Sequence, residues 1–378
     1  MKTFLQIILL FGCISCDSAY NSKKQKESND LEIILKQFEN ELKSDLAKDR
    51  VEGGISAAIV HENKVIWSKA FGYADREKRV LADTTTIYRI GSISKPFTAF
   101  LMMQLVEEGV IKLNDPIEMY FPEVKELKGY SDSTRITFLQ LASHTSGLTR
   151  EPGLENAATG PIEEWERKLI ACIPTTSFEN KPGVKFNYSN IGFGILGLAL
   201  SRAAGRPFIA LVQEKIFVPL RMKRSFYIVP DEFKAKLAAG MQGGPSELID
   251  TETPEKEHQG RGYKVPNGGI YSTPNDLARF MINNLGYDPI LKKESMAMMQ
   301  TERGPLAENY GLGFTRFHND TINIVGHGGQ VAGYTASFLF EKDSKFGVIL
   351  MRNYTQGATD LDNMAFMLLG KLGRLKKQ

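Results

Sequence analysis

"RIGSISKPFTAF", residues 89–100, places Ser92 three residues before Lys95 at the start of a run that otherwise reads as a buried helix. Side chains three apart share a helix face, so the Lys95 amine lies within reach of the Ser92 hydroxyl. Burial and the positive end of a helix both disfavour a charged lysine and push its pKa down toward neutrality. A neutral amine can take the serine proton, whereas a protonated one cannot. On this stretch alone two readings stay open: a nucleophile with its proton acceptor, or a lysine reaching out to solvent beside a serine cap. No other Ser-x-x-Lys occurs in the 378 residues.

The surrounding composition is that of an ordinary globular protein, 42% hydrophobic and 24% charged, with a net charge of +3. Acids and bases are interspersed, which speaks against a nucleic-acid partner. The basic end "KLGRLKKQ" reads as cations closing a last helix, where they complement its dipole. No repeat of 20 to 50 residues is visible, so a solenoid or propeller is not expected. There is no G-x-S-x-G elbow of the α/β-hydrolase type. The five histidines lack clustered metal-ligand spacing, and no phosphate-cradling or dinucleotide glycine loop is present. No metal and no cofactor is expected.

"MKTFLQIILLFGCISC" opens the chain with one lysine and an apolar stretch about half the roughly 20 residues a spanning helix needs. It reads as a signal peptide over residues 1–16. Its end resembles the lipobox of bacterial lipoproteins, with Cys16 as the expected lipidation site and Cys13 as the competitor. Residues 17–30, "DSAYNSKKQKESND", are polar and without apolar period, and are expected as a flexible tether. Processing at Cys16 would leave Cys172 as the remaining thiol, so no internal disulfide is expected.

From residue 31 the pattern becomes that of a single domain, 31–378. Leu31, Leu35, Phe38, Leu42 and Leu46 recur at helical spacing. "ISAAIV" and "KVIWSKAF", joined by "HEN", read as a hairpin. Ser92 to Glu108 reads as a helix apolar nearly all round, and therefore buried. Helices are also expected over "ITFLQLASHTSGL", "PIEEWERKLIACI", "SNIGFGILGLALSRAAGRP" and "STPNDLARFMINNL". Residues 240–269, polar and rich in Gly and Pro, are expected as a long surface loop. "GLGFTRF", "TINIVG", "YTASFLFE" and "FGVILMRN" read as strands, followed by a helix at about 358–374. The expected fold is therefore α/β (α+β). Its antiparallel sheet is built from both termini, about 31–91 and 266–378, with helices on both faces. A mainly helical subdomain, about 92–265, is inserted, and the cleft between the parts is where a site belongs.

Two fragments bear on the opening question. "FNYSNIGFG" holds Tyr188 and Asn190 just before a buried helix. "IVGHGGQVAGY" holds His327, Gly328 and Gly329 between two expected strands. Glycines there let backbone and substrate come close, and a strand edge can pair with an extended acyl chain. The order Ser-x-x-Lys, Tyr-x-Asn, then a basic residue with Gly-Gly resembles the serine β-lactamases and penicillin-binding proteins. It is most similar to the group of class C β-lactamases, DD-peptidases and related esterases. "LASHTSGL", "PGVKFNYSNIGFGILG", "NGGIYSTPNDLARF" and "GHGGQVAGYTASFLF" extend the likeness from about residue 50 to the end.

The resemblance implies that Ser92 becomes the acyl-enzyme and that Lys95 and Tyr188 share the proton work. Asn190 would hold Lys95 and the substrate amide. His327 would line the cleft and hydrogen-bond Tyr188 or a substrate carboxylate. The backbone N–H groups of Ser92 and Gln330 would form the oxyanion hole. The β-lactamases of this group usually have lysine at the position of His327, followed by Thr-Gly. Histidine, with a reference pKa near 6.5, is mostly neutral at pH 7 and should bind a carboxylate less well.

Peptidase or esterase action on D-amino-acid-type amides or small esters is therefore expected over antibiotic hydrolysis. The alternatives are a true class C-like β-lactamase, or a penicillin-binding sensor or scaffold that does not turn over. The implied partners are a small-molecule or peptidoglycan-derived substrate and a membrane reached through the lipid. The implied location is the bacterial cell envelope, on the periplasmic side or the outer membrane. "EPGLEN" from Glu151 nearly matches a deacylation loop of class A enzymes, but precedes the Tyr-x-Asn instead of following it and reads as a surface loop. His144 and Ser146 read as backbone caps in a turn ended by Gly147.

Overall fold

Strand-forming runs from the two ends of the chain meet in one sheet. The computed structural model describes residues 9–49, 51–243, 249–303, 306–307, 309–319 and 321–375. A helix α1 (Leu9–Asp49) leads into strands β1 (Gly54–His61), β2 (Lys64–Asp75), β3 (Val80–Leu81) and β4 (Tyr88–Arg89). The middle of the chain carries α2 (Ser94–Glu107), α3 (Phe138–Ala142), α4 (Trp165–Cys172), α5 (Asn190–Ala204) and α6 (Phe208–Val212). It continues through α7 (Glu252–Lys256) and α8 (Val265–Gly268) to β5 (Tyr271–Ser272), α9 (Pro274–Asn284) and α10 (Lys293–Met299). The C-terminal part holds β6 (Thr315–His318), β7 (Asn323–Val331), β8 (Tyr334–Glu341), β9 (Phe346–Arg352) and α11 (Leu361–Leu375).

The sheet runs β3-β2-β1-β9-β8-β7-β6 with antiparallel neighbours. β1 sits between β2 and β9, so Ile55 is paired with both Phe71 and Arg352. Alternation along β1 serves two cores. Ile55, Ala57 and Ile59 face Phe38 and Leu42 of α1 and Leu361, Ala365, Leu368 and Leu372 of α11. Ala58 and Val60 face the helical part, in the cluster that holds Phe97, Phe280 and Phe338. With helices on both faces, the β7 and β6 end of the sheet borders the helical part, and the cleft lies along that border.

Three expectations change. The helix expected from Ser92 begins at Ser94, because Gly91–Ile93 forms a tighter 3₁₀ turn ahead of it. Residues 17–30, expected as a flexible tether, lie within α1; they contain neither Gly nor Pro and are rich in Lys, Gln and Glu, good helix formers. Residues 1–8 of the expected signal peptide and the side chain of Cys16 lie outside what is described.

The third change concerns residues 240–269, expected as a surface loop. Their second half is interior: Tyr263, Val265, Asn267 and Ile270, just beyond, are buried. The glycine and proline that suggested a loop serve close packing instead. Gly262 has φ +50, and a Cβ there would meet the Ala157 carbonyl oxygen at 1.9 Å. Pro266 packs onto the helical glycine Gly197. Thr98 Oγ1 donates to the Pro266 carbonyl at 2.5 Å, which ties this segment to α2.

Candidate active site

Ser92 lies in the 3₁₀ turn that Gly91 makes possible. Gly91 has φ +52, in the left-handed region, and a Cβ at that position would lie 2.8 Å from the Gln330 nitrogen. Gly329 is equally tight, since a Cβ there would be 2.0 Å from the Ile90 carbonyl oxygen. Glycine on both sides lets the nucleophile turn close directly onto β7. The peptide N–H groups of Ser92 and Gln330 thereby sit on touching backbones.

One residue into α2, the Lys95 side chain is fully buried. Its Nζ lies 3.0 Å from Ser92 Oγ, 2.8 Å from Asn190 Oδ1 and 3.4 Å from the Asn267 carbonyl oxygen. Burial pushes its pKa well below that of an ordinary lysine. The nearby positive charges of Lys264 and Arg150 add to this, and Glu151 opposes it. An uncharged amine has two N–H donors and one lone pair. The two amide oxygens accept the donors, which leaves the lone pair facing the Ser92 hydroxyl.

Tyr188 and Asn190 are delivered by the start of α5. Ser189 caps that helix, its Oγ accepting from the Gly192 N–H at 3.0 Å, a contact typically worth about 1 kcal/mol. The cap puts Asn190 in the first turn, facing Lys95, and leaves Tyr188 just outside, with Lys95 Nζ 4.8 Å from its ring centre. Burial pushes the Tyr188 hydroxyl up to about 12, the Ser92 hydroxyl beside it acting the other way. His144, read from sequence as a cap, accepts the Ser189 N–H on Nδ1 at 3.0 Å. Its ring also packs on Tyr188, with centroids 4.2 Å apart, and so fixes the phenol from behind.

His327 is buried on β7 and makes two polar contacts. Nδ1 lies 2.6 Å from the Gly328 carbonyl oxygen and Nε2 lies 3.2 Å from the Tyr310 hydroxyl. A carbonyl can only accept, so Nδ1 carries a proton, and with the ring neutral Nε2 accepts from the Tyr310 hydroxyl. Burial takes its pKa down to about 3. Of the two partners expected for His327, Tyr188 or a substrate carboxylate, Tyr188 has its ring centre 6.3 Å away, and the hydroxyl found on Nε2 is that of Tyr310.

Ser92, Tyr188, His327, Gly328, Gly329 and Gln330 all line one open cleft of about 660 Å³. Lys95 and Asn190 lie at its floor through their contacts with Ser92 and with each other. Three contributors went unread in the sequence. Asn267 supplies a carbonyl to Lys95, and its Nδ2 donates to the Asn190 carbonyl at 2.9 Å. Tyr310 holds His327, as described. Glu151, read as part of a surface loop, turns its carboxylate inward: Asn190 Nδ2 donates to Oε1 at 2.6 Å. The Tyr263 hydroxyl and Lys264 hold the other oxygen.

With its Nδ2 committed to Glu151, Asn190 can only present Oδ1 to Lys95. Glu151→Ala is therefore expected to lower kcat/KM about tenfold, the usual scale for losing one charge-assisted hydrogen bond. Glu151→Gln should recover most of the loss, since one amide oxygen suffices as acceptor. Steady-state kinetics on an ester substrate checks both variants.

The Beta-lactamase family matches residues 41–369. The chain belongs to this family. Among curated relatives, it is 27% identical over 363 residues to Beta-lactamase-like protein 4 of Dictyostelium discoideum. That alignment covers 89% of this chain and 61% of the relative. It is 31% identical over 252 residues to the D-alanyl-D-alanine-carboxypeptidase/endopeptidase AmpH of Escherichia coli (strain K12), covering 66% of this chain and 61% of AmpH. The chain spans about three fifths of the length of these relatives.

Among solved structures, an octameric penicillin-binding protein homologue from Pyrococcus abyssi superposes with a TM-score of 0.73 at 27% identity, covering 89% of this chain and 77% of that one. A β-lactamase/D-alanine carboxypeptidase from Yersinia pestis, complexed with citrate, gives 0.69 at 26% identity, covering 88% and 96%. The fold is that of the β-lactamases and penicillin-binding proteins.

Proposed function

We propose that this protein is an envelope enzyme that forms an acyl-enzyme on Ser92 from D-amino-acid-type peptide amides or small esters. The observation that carries this reading is the fully buried Lys95 amine, its Nζ 3.0 Å from Ser92 Oγ. Lys95 takes the Ser92 proton as the oxygen attacks the carbonyl. The N–H groups of Ser92 and Gln330 receive the developing oxyanion, each such donor typically worth about 3 kcal/mol. Tyr188, protonated at neutral pH because its pKa lies near 12, passes a proton to the leaving group. Lys95, now charged, replenishes it. Water then enters where the leaving group stood and reverses the sequence.

A neutral His327 supports amide or ester substrates over β-lactams, since the third motif offers no fixed positive charge to a carboxylate. The N-terminal segment supports export, with Cys16 as the lipid-bearing residue facing the periplasm or the outer membrane.

The test is a screen across D-Ala-D-Ala peptides, D-aminoacyl amides, short esters and cephalosporins. Turnover of amides or esters with poor nitrocefin hydrolysis is the expected pattern. A Ser92 adduct that never hydrolyses, or nitrocefin as the best substrate, would overturn it. Tyr188→Phe is expected to lower kcat by about 10²–10⁴, the usual range for a general acid–base group. A near-wild-type rate would remove Tyr188 from the proton path.

A further inference from the structure

The wall of the cleft beyond Gly328 carries a second layer of specificity. At 328, next to His327, a side chain has no room. A Cβ built on Gly328 would lie 2.1 Å from Asp362 Oδ2 and 3.0 Å from its carboxyl carbon. The carboxylate of α11 thus fills the space that a threonine would occupy in a Lys-Thr-Gly motif. A hydroxyl there could donate a hydrogen bond, whereas a carboxylate can only accept. The other oxygen, Asp362 Oδ1, is buried and has no hydrogen-bond partner. Burial raises the Asp362 pKa; the Ser337 hydroxyl opposes this and Asp360 adds to it. A carboxylate so placed lacks a positive or N–H partner.

The donors that could answer this carboxylate are already engaged, and the one guanidinium among the described residues in this part of the cleft, Arg352, stands against two carboxylates, Asp360 and Asp362. Arg352 lines the same cleft, but its guanidinium is turned onto the backbone. It donates to the carbonyls of Thr359 at 2.8 Å, Thr355 at 3.2 Å and Tyr354 at 3.3 Å. Gly357 closes over it, since a Cβ there would meet Arg352 Nη1 at 2.2 Å. The positive end of α11 is capped by Asp360, whose Oδ1 accepts the Asn363 N–H at 2.8 Å. His327 is neutral. This half of the cleft therefore presents an acceptor and net negative charge to whatever leaves Ser92.

We propose that Asp362 is a specificity-determining residue that selects leaving groups bearing an ammonium beside the scissile bond and rejects those bearing a carboxylate. This rests on the acyl-enzyme reading above and narrows it. The favoured substrates are amides or esters of amino compounds without an α-carboxylate. Substrates ending in a free D-amino acid, and β-lactams with their ring carboxylate, meet a like charge, which costs enough to slow them at least about tenfold.

The experiment compares three N-acetyl-D-alanyl amides of similar size, formed with ethylenediamine, propylamine and glycine. For the wild type, kcat/KM should fall in that order, with the glycine amide at least about tenfold below the propylamide. Asp362→Asn should move the glycine-to-propylamide ratio up by about the same factor. Equal rates for the glycine and propyl amides in the wild type, or an unchanged ratio in the variant, would overturn the inference.

A second readout is independent of turnover: protection of Ser92 from a fluorophosphonate by N-acetylethylenediamine or by N-acetylglycine. The amine should protect at lower concentration, and better protection by the carboxylate would overturn the inference. If none of the three amides is cleaved, the acyl-group reading fails, and the protection result alone decides the role of Asp362.

Discussion

Ser92→Ala should cut hydrolysis of a simple ester by about 10⁴–10⁶, the loss seen when a serine nucleophile is removed and only oxyanion stabilisation and binding remain. The variant loses one hydroxyl from a turn whose shape is set by Gly91, so the fold has no reason to change. Mass spectrometry supplies the complementary measurement. A fluorophosphonate or a β-lactam should add mass to the wild-type peptide containing Ser92 and leave the alanine variant unlabelled. Equal ester hydrolysis by the two proteins would remove Ser92 as the nucleophile and the mechanism with it.

Lys95→Met should lose activity on a comparable scale and, unusually for a buried substitution, gain stability. The sign follows from linkage. At neutral pH the unfolded chain holds this lysine protonated, while the folded protein, with its pKa well below 10.5, binds the proton less. The unfolded state then binds more protons, so this residue's contribution makes stability rise with pH from the lowered pKa up to about 10.5. Methionine abolishes the burden and fills similar volume. The variant's melting temperature should exceed that of the wild type by most in acid and converge with it above about pH 10.5, as calorimetry across pH would read. In the wild type, kcat/KM should climb with pH as the amine loses its proton and then level off. His327, at about 3, should add no inflection between pH 5 and 8. A melting temperature lowered at every pH would show that Lys95 is a charged structural anchor instead.

Much of this arrangement is legible in the linear chain because it depends on local pattern. The alternation in "ISAAIV" and "FGVILMRN" announces strands, and the helical spacing of Leu31, Leu35, Phe38 and Leu42 announces the helix that covers them. Ser92, Lys95, Tyr188 and Asn190 can be picked out since each pair sits within one turn of the other. What stayed hidden depends on distant contacts. The glycines and proline around Asn267 mimic a solvent loop by composition, and only Gly197 and Ala157 pressing against them reveal an interior segment. Glu151 looks like any surface acid until Asn190 is brought to its side. Asp362 cannot be linked to Gly328 by any local rule, because the space one vacates and the other fills is created by docking a helix on a sheet.

The placement of β1 between β2 and β9 has a consequence for how the protein comes to exist. Residues 54–61 obtain one neighbour from the adjacent hairpin and the other from residues 346–352, near the far end of the chain. During synthesis the first strand must wait, half-edged, until residues 346–352 have emerged. Gly91 likewise has nothing to close upon until Gln330 arrives. The turn that carries Ser92 is thus completed only once β7 has been made, whatever the order in which the helices between them form.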